Sequence, residues 1–247
     1  MNIIQDLADY LEQIAPLDLQ ESYDNSGLII GNSNWIIKNV LVALDVTEPV
    51  IDEAIELGCN VIVSHHPLIF KGLKRISDQN HLDRGLIKAI KNDIAIYAIH
   101  TNADNILNGV NKRMAEKIGL LQCNILAPKN GLLSKFYVYV PLANVEAVRE
   151  AIFVAGAGVL SNYSECSFAT EGVGSFKGND ETNAYVGEKN VRHYEKEVKL
   201  EVVLPNYLQN KVVEAVNRVH PYEEMAYGLV NLNNLNHQIG SGMIGVL

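Results

Sequence analysis

Two adjacent histidines, His65 and His66, stand at the end of an apolar run in the stretch VIVSHHPLIF. About one strand-helix-strand unit later, a second apolar run, Ile94–Ile99, leads into the tract HTNAD, which ends at Asp104. Imidazole nitrogens and carboxylate oxygens are common ligands of divalent transition metals. Their positions after two neighbouring strands therefore indicate a metal site.

The histidine pair can act on one ligand only if the chain bends there. Adjacent side chains of a straight strand point to opposite faces, but Pro67 favours a turn or a kink directly after His66. Taken alone, a metal role for the pair and a role as ordinary loop histidines weigh equally. Asp104 favours the metal interpretation, because a carboxylate can bridge two cations while each imidazole binds one.

Three further polar residues lie at strand ends: Asp45 follows the apolar run Val40–Leu44, and His100 and Asn102 follow Ile94–Ile99. An aspartate between a strand and a helix, such as Asp45, is more typical of a cap or loop than of a ligand. We interpret His100 and Asn102 as residues that orient the metal ligands through hydrogen bonds.

Four other tracts have a structural rather than a functional interpretation. The turn-rich composition of Tyr23–Leu28 predicts a loop. The tract HPYEE, residues 220–224, contains residue types that bind metals, but Pro221 favours a turn between the last helix and the last strand. Gly156–Gly158 and Gly172–Gly174 do not follow the strand-loop-helix order of a nucleotide-binding loop, so we predict tight turns there.

Composition limits the class of protein. The 247 residues are 48% hydrophobic and 20% charged, as in a globular protein of one or two domains. The net charge of -9 makes nucleic-acid binding through phosphate neutralisation an unfavoured function. Three scattered cysteines argue against a disulfide framework and indicate a cytoplasmic protein. We expect no membrane partner, because no apolar stretch reaches membrane-spanning length.

The chain has two regions with different patterns. Within residues 1–127, short apolar strands alternate with helices, which predicts an α/β domain with a mainly parallel sheet layered with helices. Ligands of such sheets collect beyond the carboxyl ends of the strands, where His65, His66 and Asp104 fall. Residues 132–234 have the order βα(β)βαβ of a ferredoxin-like α+β second domain. Residues 235–247 are predicted to form a return strand toward the first domain.

Several tracts together resemble one family. They are YDNSGLIIG, VALDVT, VIVSHHPLIF, AIHTNADN, the series AGAG…YSECSF…GVGSF, and HPYEEMAYGLVNL. Their order is similar to that of the dinuclear-metal-centre hexameric proteins, the type 2 homologues of GTP cyclohydrolase I, and covers essentially the whole chain. The resemblance implies a homohexamer with two divalent transition-metal ions per subunit, which could be zinc, iron, manganese or nickel. It assigns metal ligation to His65, His66 and Asp104, and it likens the second domain to PII and CutA-like modules.

The resemblance also implies a function, and the chain differs from the family pattern at one point. The implied activity is metal-dependent hydrolysis of the purine ring of GTP, a nucleotide substrate, with release of formate. The alternative is a non-catalytic metal-binding scaffold, or a regulatory protein that senses a ligand through its PII-like domain.

In the family, the tract that Gly240–Gly245 resembles is followed by a segment with a histidine and a glutamate that complete the metal cage. Because this chain ends at Leu247, we expect either a fragment or a half-site that binds metal weakly.

Overall fold

The computed structural model describes all 247 residues, and the chain divides into two compact units. Unit 1 comprises Met1–Pro128 and His237–Leu247, and unit 2 comprises Lys129–Asn236. The predicted α/β fold with a ferredoxin-like second part is confirmed. None of the helices is both long enough and apolar enough to cross a lipid bilayer.

Unit 1 contains a four-stranded sheet in the order β1-β4-β3-β2. Its strands are β1 (Gly27–Ile30), β2 (Val40–Ala43), β3 (Val61–Ser64) and β4 (Ala95–Ala98). β2, β3 and β4 are parallel, with Ser64 opposite both Ala43 and Ala98. β1 is antiparallel to β4, and Gly27 lies opposite Ala98. The carboxyl ends of three strands and the amino end of β1 therefore meet at one edge of the sheet.

Helices cover both faces of this sheet. The helices of unit 1 are α1 (Ile4–Ile14), α2 (Glu48–Glu56), α3 (His81–Lys91), α4 (Thr101–Asp104) and α5 (Val110–Ile118), and the first three pack on the sheet. Ile51 of α2 and Ala89 of α3 share one buried cluster with Ile62 of β3. Ile4 of α1 shares another with Val61, the neighbouring residue of the same strand. Because successive side chains of a strand point to opposite faces, β3 is buried on both sides, which explains its unbroken apolar sequence.

Two further strands, β5 (Leu121–Lys129) and β10 (Asn236–Val246), form a separate two-stranded sheet that belongs to unit 1 except for the boundary residues Lys129 and Asn236. β10 also holds the segment that follows α4. The backbone N–H of Gly240 donates to the carbonyl of Asn105 at 2.8 Å, and Ile239 forms a β-bridge with Ile106. The end of α4, where Asp104 lies, is thus fixed by β10.

Unit 2 is a four-stranded antiparallel sheet in the order β7-β8-β6-β9 with two helices. Its elements are β6 (Leu133–Pro141), α6 (Val145–Val154), β7 (Phe168–Phe176), β8 (His193–Pro205), α7 (Gln209–Val219) and β9 (Tyr227–Leu232). Val198 and Leu200 of β8 are buried in one cluster with Val148 of α6 and Val212 of α7. Side chains at the alternate positions, including Glu197, lie on the other face of the sheet.

The structure corrects two turn predictions. Gly172–Gly174 lies inside β7, paired with β8, because the ladder supplies backbone hydrogen bonds that outweigh the local turn preference of glycine. The tract Tyr23–Leu28 is not all loop, since its last two residues begin β1. The turn predicted for the HPYEE tract between the last helix and the last strand is confirmed, because residues 220–224 lie between α7 and β9.

Candidate metal centre

Three histidines meet at the edge of the sheet in unit 1. His65 and His66 directly follow β3, and His100 follows β4. One side-chain nitrogen from each lies within 4.8 Å of those of the other two. The ring centroids are 4.9 Å apart for His65 and His66, 5.1 Å for His65 and His100, and 5.4 Å for His66 and His100. The three imidazoles thus surround one small volume.

The chain bends at the histidine pair, as a joint role requires. The Ser64 hydroxyl donates to the backbone carbonyl of His66 at 2.9 Å. The backbone N–H of His66 donates to the carbonyl of Leu44 at 2.9 Å, which extends the ladder between β3 and the end of β2. These bonds hold the bend that brings both rings to the same side of the sheet edge.

Each of the three rings is held through Nδ1 by an oxygen acceptor. The acceptors are the Ile99 carbonyl for His65 at 3.0 Å, Asp45 Oδ1 for His66 at 2.7 Å, and Asp24 Oδ1 for His100 at 2.7 Å. A neutral imidazole that donates from Nδ1 has its lone pair on Nε2. The second nitrogen of every ring is therefore the one offered to an ion, the arrangement that orients histidine ligands in metal sites.

Asp24 is the most firmly held of the acceptors. Its side chain is 0% exposed, and it accepts hydrogen bonds from His100, from the backbone N–H of Asn25 and from both the backbone N–H and the hydroxyl of Thr101. Burial alone would raise the pKa of Asp24, but the hydrogen bonds from Thr101, His100 and Asn25 lower it from 3.8 to about 2. Asp24 is therefore an anion at neutral pH, and it fixes the tautomer of His100.

Asp104 lies at the side of this cluster. Its Oδ1 is 3.9 Å from Nε2 of His65, and its side chain is 34% exposed. The structure thus places His65 and His66 together and brings Asp104 next to His65. It also places His100 beside them as a third imidazole, whereas the sequence assigned His100 only an orienting role.

The sequence does not predict that Asp24 holds His100, and it favours a cap or loop role for Asp45, which in the structure holds His66. Asp24 lies in a tract that looks like an ordinary turn, and it reaches the site only because β1 runs antiparallel to β4. Asn102 does hold His100, since its Oδ1 accepts from the His100 backbone N–H at 2.9 Å. The sequence does contain one signal for His100 as a third imidazole ligand, since it follows its apolar strand much as His65 follows β3.

The family model described as Duf34/NIF3 (NGG1p interacting factor 3) matches residues 2–245 of the chain. The chain belongs to this family. It is 43% identical over 98% of its length to a Halalkalibacterium halodurans protein named "GTP cyclohydrolase 1 type 2 homolog". A Bacillus subtilis protein of the same name is 42% identical over 98% of the chain. The resemblance drawn from the sequence motifs is thus confirmed.

The chain spans about two thirds of the length of these relatives, 66% and 65% respectively. A similar relation holds for a solved structure of a Bacillus cereus protein related to NIF3. That structure has a TM-score of 0.84 and 43% sequence identity, and the match covers 98% of this chain and 65% of the other.

In this member of the NIF3 family, the donor set fits a transition-metal ion. Imidazole suits zinc, iron and nickel, and a carboxylate extends the range to manganese. A cavity of about 440 Å³ opens beside the cluster, and Asp45, His66 and the first residues of α2 are part of its lining. The candidate centre therefore adjoins a space that a small molecule could enter.

Proposed function

We propose that unit 1 binds divalent transition-metal ions through His65, His66 and Asp104, with His100 as a further imidazole ligand. The observation that carries this proposal is that all three rings are held at Nδ1, which leaves Nε2 as the nitrogen available to an ion, and that the ring centroids lie 4.9–5.4 Å from one another. The ion is zinc, iron, manganese or nickel, since all four accept mixed imidazole and carboxylate ligation. The proposed complement is two ions per subunit: the three imidazoles would hold one of them, and Asp104 would be the carboxylate able to reach both.

The proposed activity is metal-dependent hydrolysis of the purine ring of GTP. It rests on the name that the two curated relatives carry and on the cavity next to His66. Bound divalent ions supply Lewis acidity and lower the pKa of water toward neutrality. The residues of this chain orient the site: Asp24 and Asp45 hold His100 and His66, and the cavity beside them provides room for a substrate.

A second candidate is a non-catalytic metal-binding scaffold or regulatory protein. It is supported by a separate cavity of about 470 Å³ within unit 2. In that case the metal ions stabilise unit 1, and unit 2 binds a small molecule. For either candidate, the proposed assembly is a homohexamer.

Calorimetric titration of the metal-free chain with zinc tests the metal site. We expect His65→Ala and His100→Ala each to weaken zinc binding by at least about tenfold, because each removes one ligand. His237→Ala, which removes an exposed histidine of β10, is the matched control and should bind zinc as the wild type does. Equal affinity of all four proteins would refute the assignment of the ligands.

Formate release from GTP tests the activity separately. The metal-loaded chain and the full-length Bacillus subtilis relative are assayed side by side, each with its alanine variant at the position of His65. Turnover that the variants lack supports the hydrolase. Zinc binding that depends on His65, without turnover in either protein, rejects GTP hydrolysis and favours the non-catalytic candidate.

A further inference from the structure

The cavity in unit 2 joins two motifs that the metal site does not use. Its volume is about 470 Å³, and its lining includes residues of the tracts GVGSF, 172–176, and HPYEE, 220–224. The aromatic residues of the lining are Tyr139, Phe176, Tyr185 and Tyr222. The Tyr222 ring lies between two of the others, with its centroid 6.2 Å from that of Phe176 and 6.1 Å from that of Tyr185. Much of the cavity wall is therefore aromatic.

A buried carboxylate lies among these rings. Glu197 of β8 is only 8% exposed, although its side chain is on the face of the sheet away from the helices. Its Oε1 accepts a hydrogen bond from the Tyr222 hydroxyl at 2.8 Å. Its Oε2 occupies the space above Gly174, where a Cβ would be only 2.0 Å from that oxygen. Gly174 of the GVGSF tract thus leaves room for the Glu197 carboxylate at this position.

The HPYEE tract is rigidly held against the same cavity. His220 is buried; its Nε2 donates to the Tyr139 carbonyl at 3.0 Å, and its Nδ1 accepts from the Tyr222 backbone N–H at 3.2 Å. The carboxylate of Glu223 accepts from the Asn183 backbone N–H at 3.1 Å. The turn therefore fixes both the Tyr222 ring and the position of Glu223 on the cavity wall.

The charge of the cavity lining in unit 2 indicates which class of ligand it can bind. Three carboxylates, those of Glu197, Glu223 and Glu224, line the cavity together with a single ammonium group, that of the exposed Lys177. A negative cavity with aromatic walls is complementary to an organic cation, which gains cation–π attraction from the ring faces and Coulomb attraction from the carboxylates. A volume of about 470 Å³ lies in the range of small-molecule sites.

We propose that unit 2 binds a small alkylated ammonium compound between the rings of Tyr222, Phe176 and Tyr185, with the Glu197 carboxylate as its counter-ion. An alkylated ammonium suits the site better than a bare metal ion, because four aromatic residues line the cavity beside the carboxylates. All residues that line the site belong to unit 2.

Calorimetric titration of the intact chain with choline tests this proposal, and 3,3-dimethyl-1-butanol serves as the neutral probe of the same shape. We expect choline to bind at least about tenfold more tightly than the alcohol, because only choline carries the charge. Equal binding of the two probes, or no binding of choline at a concentration of about 10 mM, overturns the proposal.

Three variants locate the site. Glu197→Gln keeps the shape of the side chain and removes its charge, and it should weaken choline binding by about tenfold or more. Tyr185→Ala removes a half-exposed ring of the wall without touching the core, so a loss of binding in this variant is not a folding effect. Glu171→Gln removes one exposed charge from β7 outside the cavity and should leave binding unchanged. Choline binding that survives both Glu197→Gln and Tyr185→Ala refutes the site.

Discussion

The chemistry of the candidate metal centre depends on the groups behind the histidines as much as on the rings. His65 is held by a backbone carbonyl, whereas His66 and His100 are each held by a carboxylate. A carboxylate behind a histidine fixes its tautomer and makes the ring more basic as a ligand. Asp24 does this from a fully buried position, so it should matter most to the site.

Asp24→Asn tests this role at the level of one residue. The amide cannot supply the negative charge that holds His100 and accepts from Thr101, so zinc affinity should fall by about 10- to 100-fold. Calorimetric titration measures the change, and Asp18→Asn, an exposed aspartate of the same unit, is the control. Unchanged affinity in Asp24→Asn would mean that the carboxylate does not support the ligand.

His220 should make unit 2 less stable in mild acid. Burial lowers the pKa of His220 below 6.5, so the folded state resists a proton that the unfolded state accepts. The stability that His220 provides is complete above pH 6.5 and decreases as the pH falls from there toward the folded-state pKa.

Urea unfolding at pH 7.5 and pH 5.5, about one unit either side of the ordinary histidine pKa, measures this effect. The wild type should lose more unfolding free energy on acidification than His220→Gln. The exposed-site variant His237→Gln should behave as the wild type does. A wild type and a His220→Gln variant with the same pH dependence would contradict the interpretation.

Among the elements of unit 1, the directions of the strands determine which side chains meet at the candidate metal centre. Three parallel strands deliver Asp45, the histidine pair and His100 to one edge, and the antiparallel β1 brings Asp24 to the same edge from its amino end. The short helix α4 then adds Asp104. A close contact between α4 and the start of α5 fixes that helix, since a Cβ on Gly109 would be 1.8 Å from the Ala103 carbonyl oxygen.

Gly109→Ala should therefore disturb both the stability of unit 1 and the metal centre. The added methyl group must push α4 away, at a cost of about 1–3 kcal/mol in unfolding free energy. Guanidinium unfolding followed by the fluorescence of Trp35, the single tryptophan, measures this cost in unit 1. Gly72→Ala is the matched control, because no atom lies within 4 Å of the position of its Cβ. Equal stability of the two variants would show that the contact is unimportant.

The sequence allowed prediction of most elements but only part of the centre. The apolar runs at Val61 and Ile94 predict β3 and β4 because both strands are buried on both faces. The strand nature of Gly172–Gly174 could not be predicted, since it depends on pairing with β8, more than twenty residues later in the chain. The role of Asp24 beside His100 could not be predicted either, because it follows from the pairing of β1 with β4, which are about seventy residues apart in the chain.

At the scale of the whole molecule, self-association should involve the edge strand β2. β2 is the last strand of its sheet, and Val42 on it is 77% exposed. An exposed apolar edge strand is a template for pairing with another chain. We therefore expect a second copy of this chain to cover β2 in the proposed homohexamer.

Sedimentation velocity tests this expectation. The wild type should sediment as a hexamer, and Val42→Lys should give smaller species because a buried charge opposes the contact. Val191→Lys, at an exposed valine of unit 2 outside the strands, is the control and should remain hexameric. A monomeric wild type, or an intact hexamer in Val42→Lys, would contradict the assignment.

The candidate metal centre requires that His65, His66 and His100 present their Nε2 atoms to a common ion. Anomalous diffraction at the zinc absorption edge, from crystals of the zinc-loaded chain, tests it most directly. We expect an anomalous peak about 2.0–2.1 Å from Nε2 of all three histidines, the usual zinc–imidazole distance. A zinc-loaded crystal with peaks elsewhere and none among these three rings would contradict it.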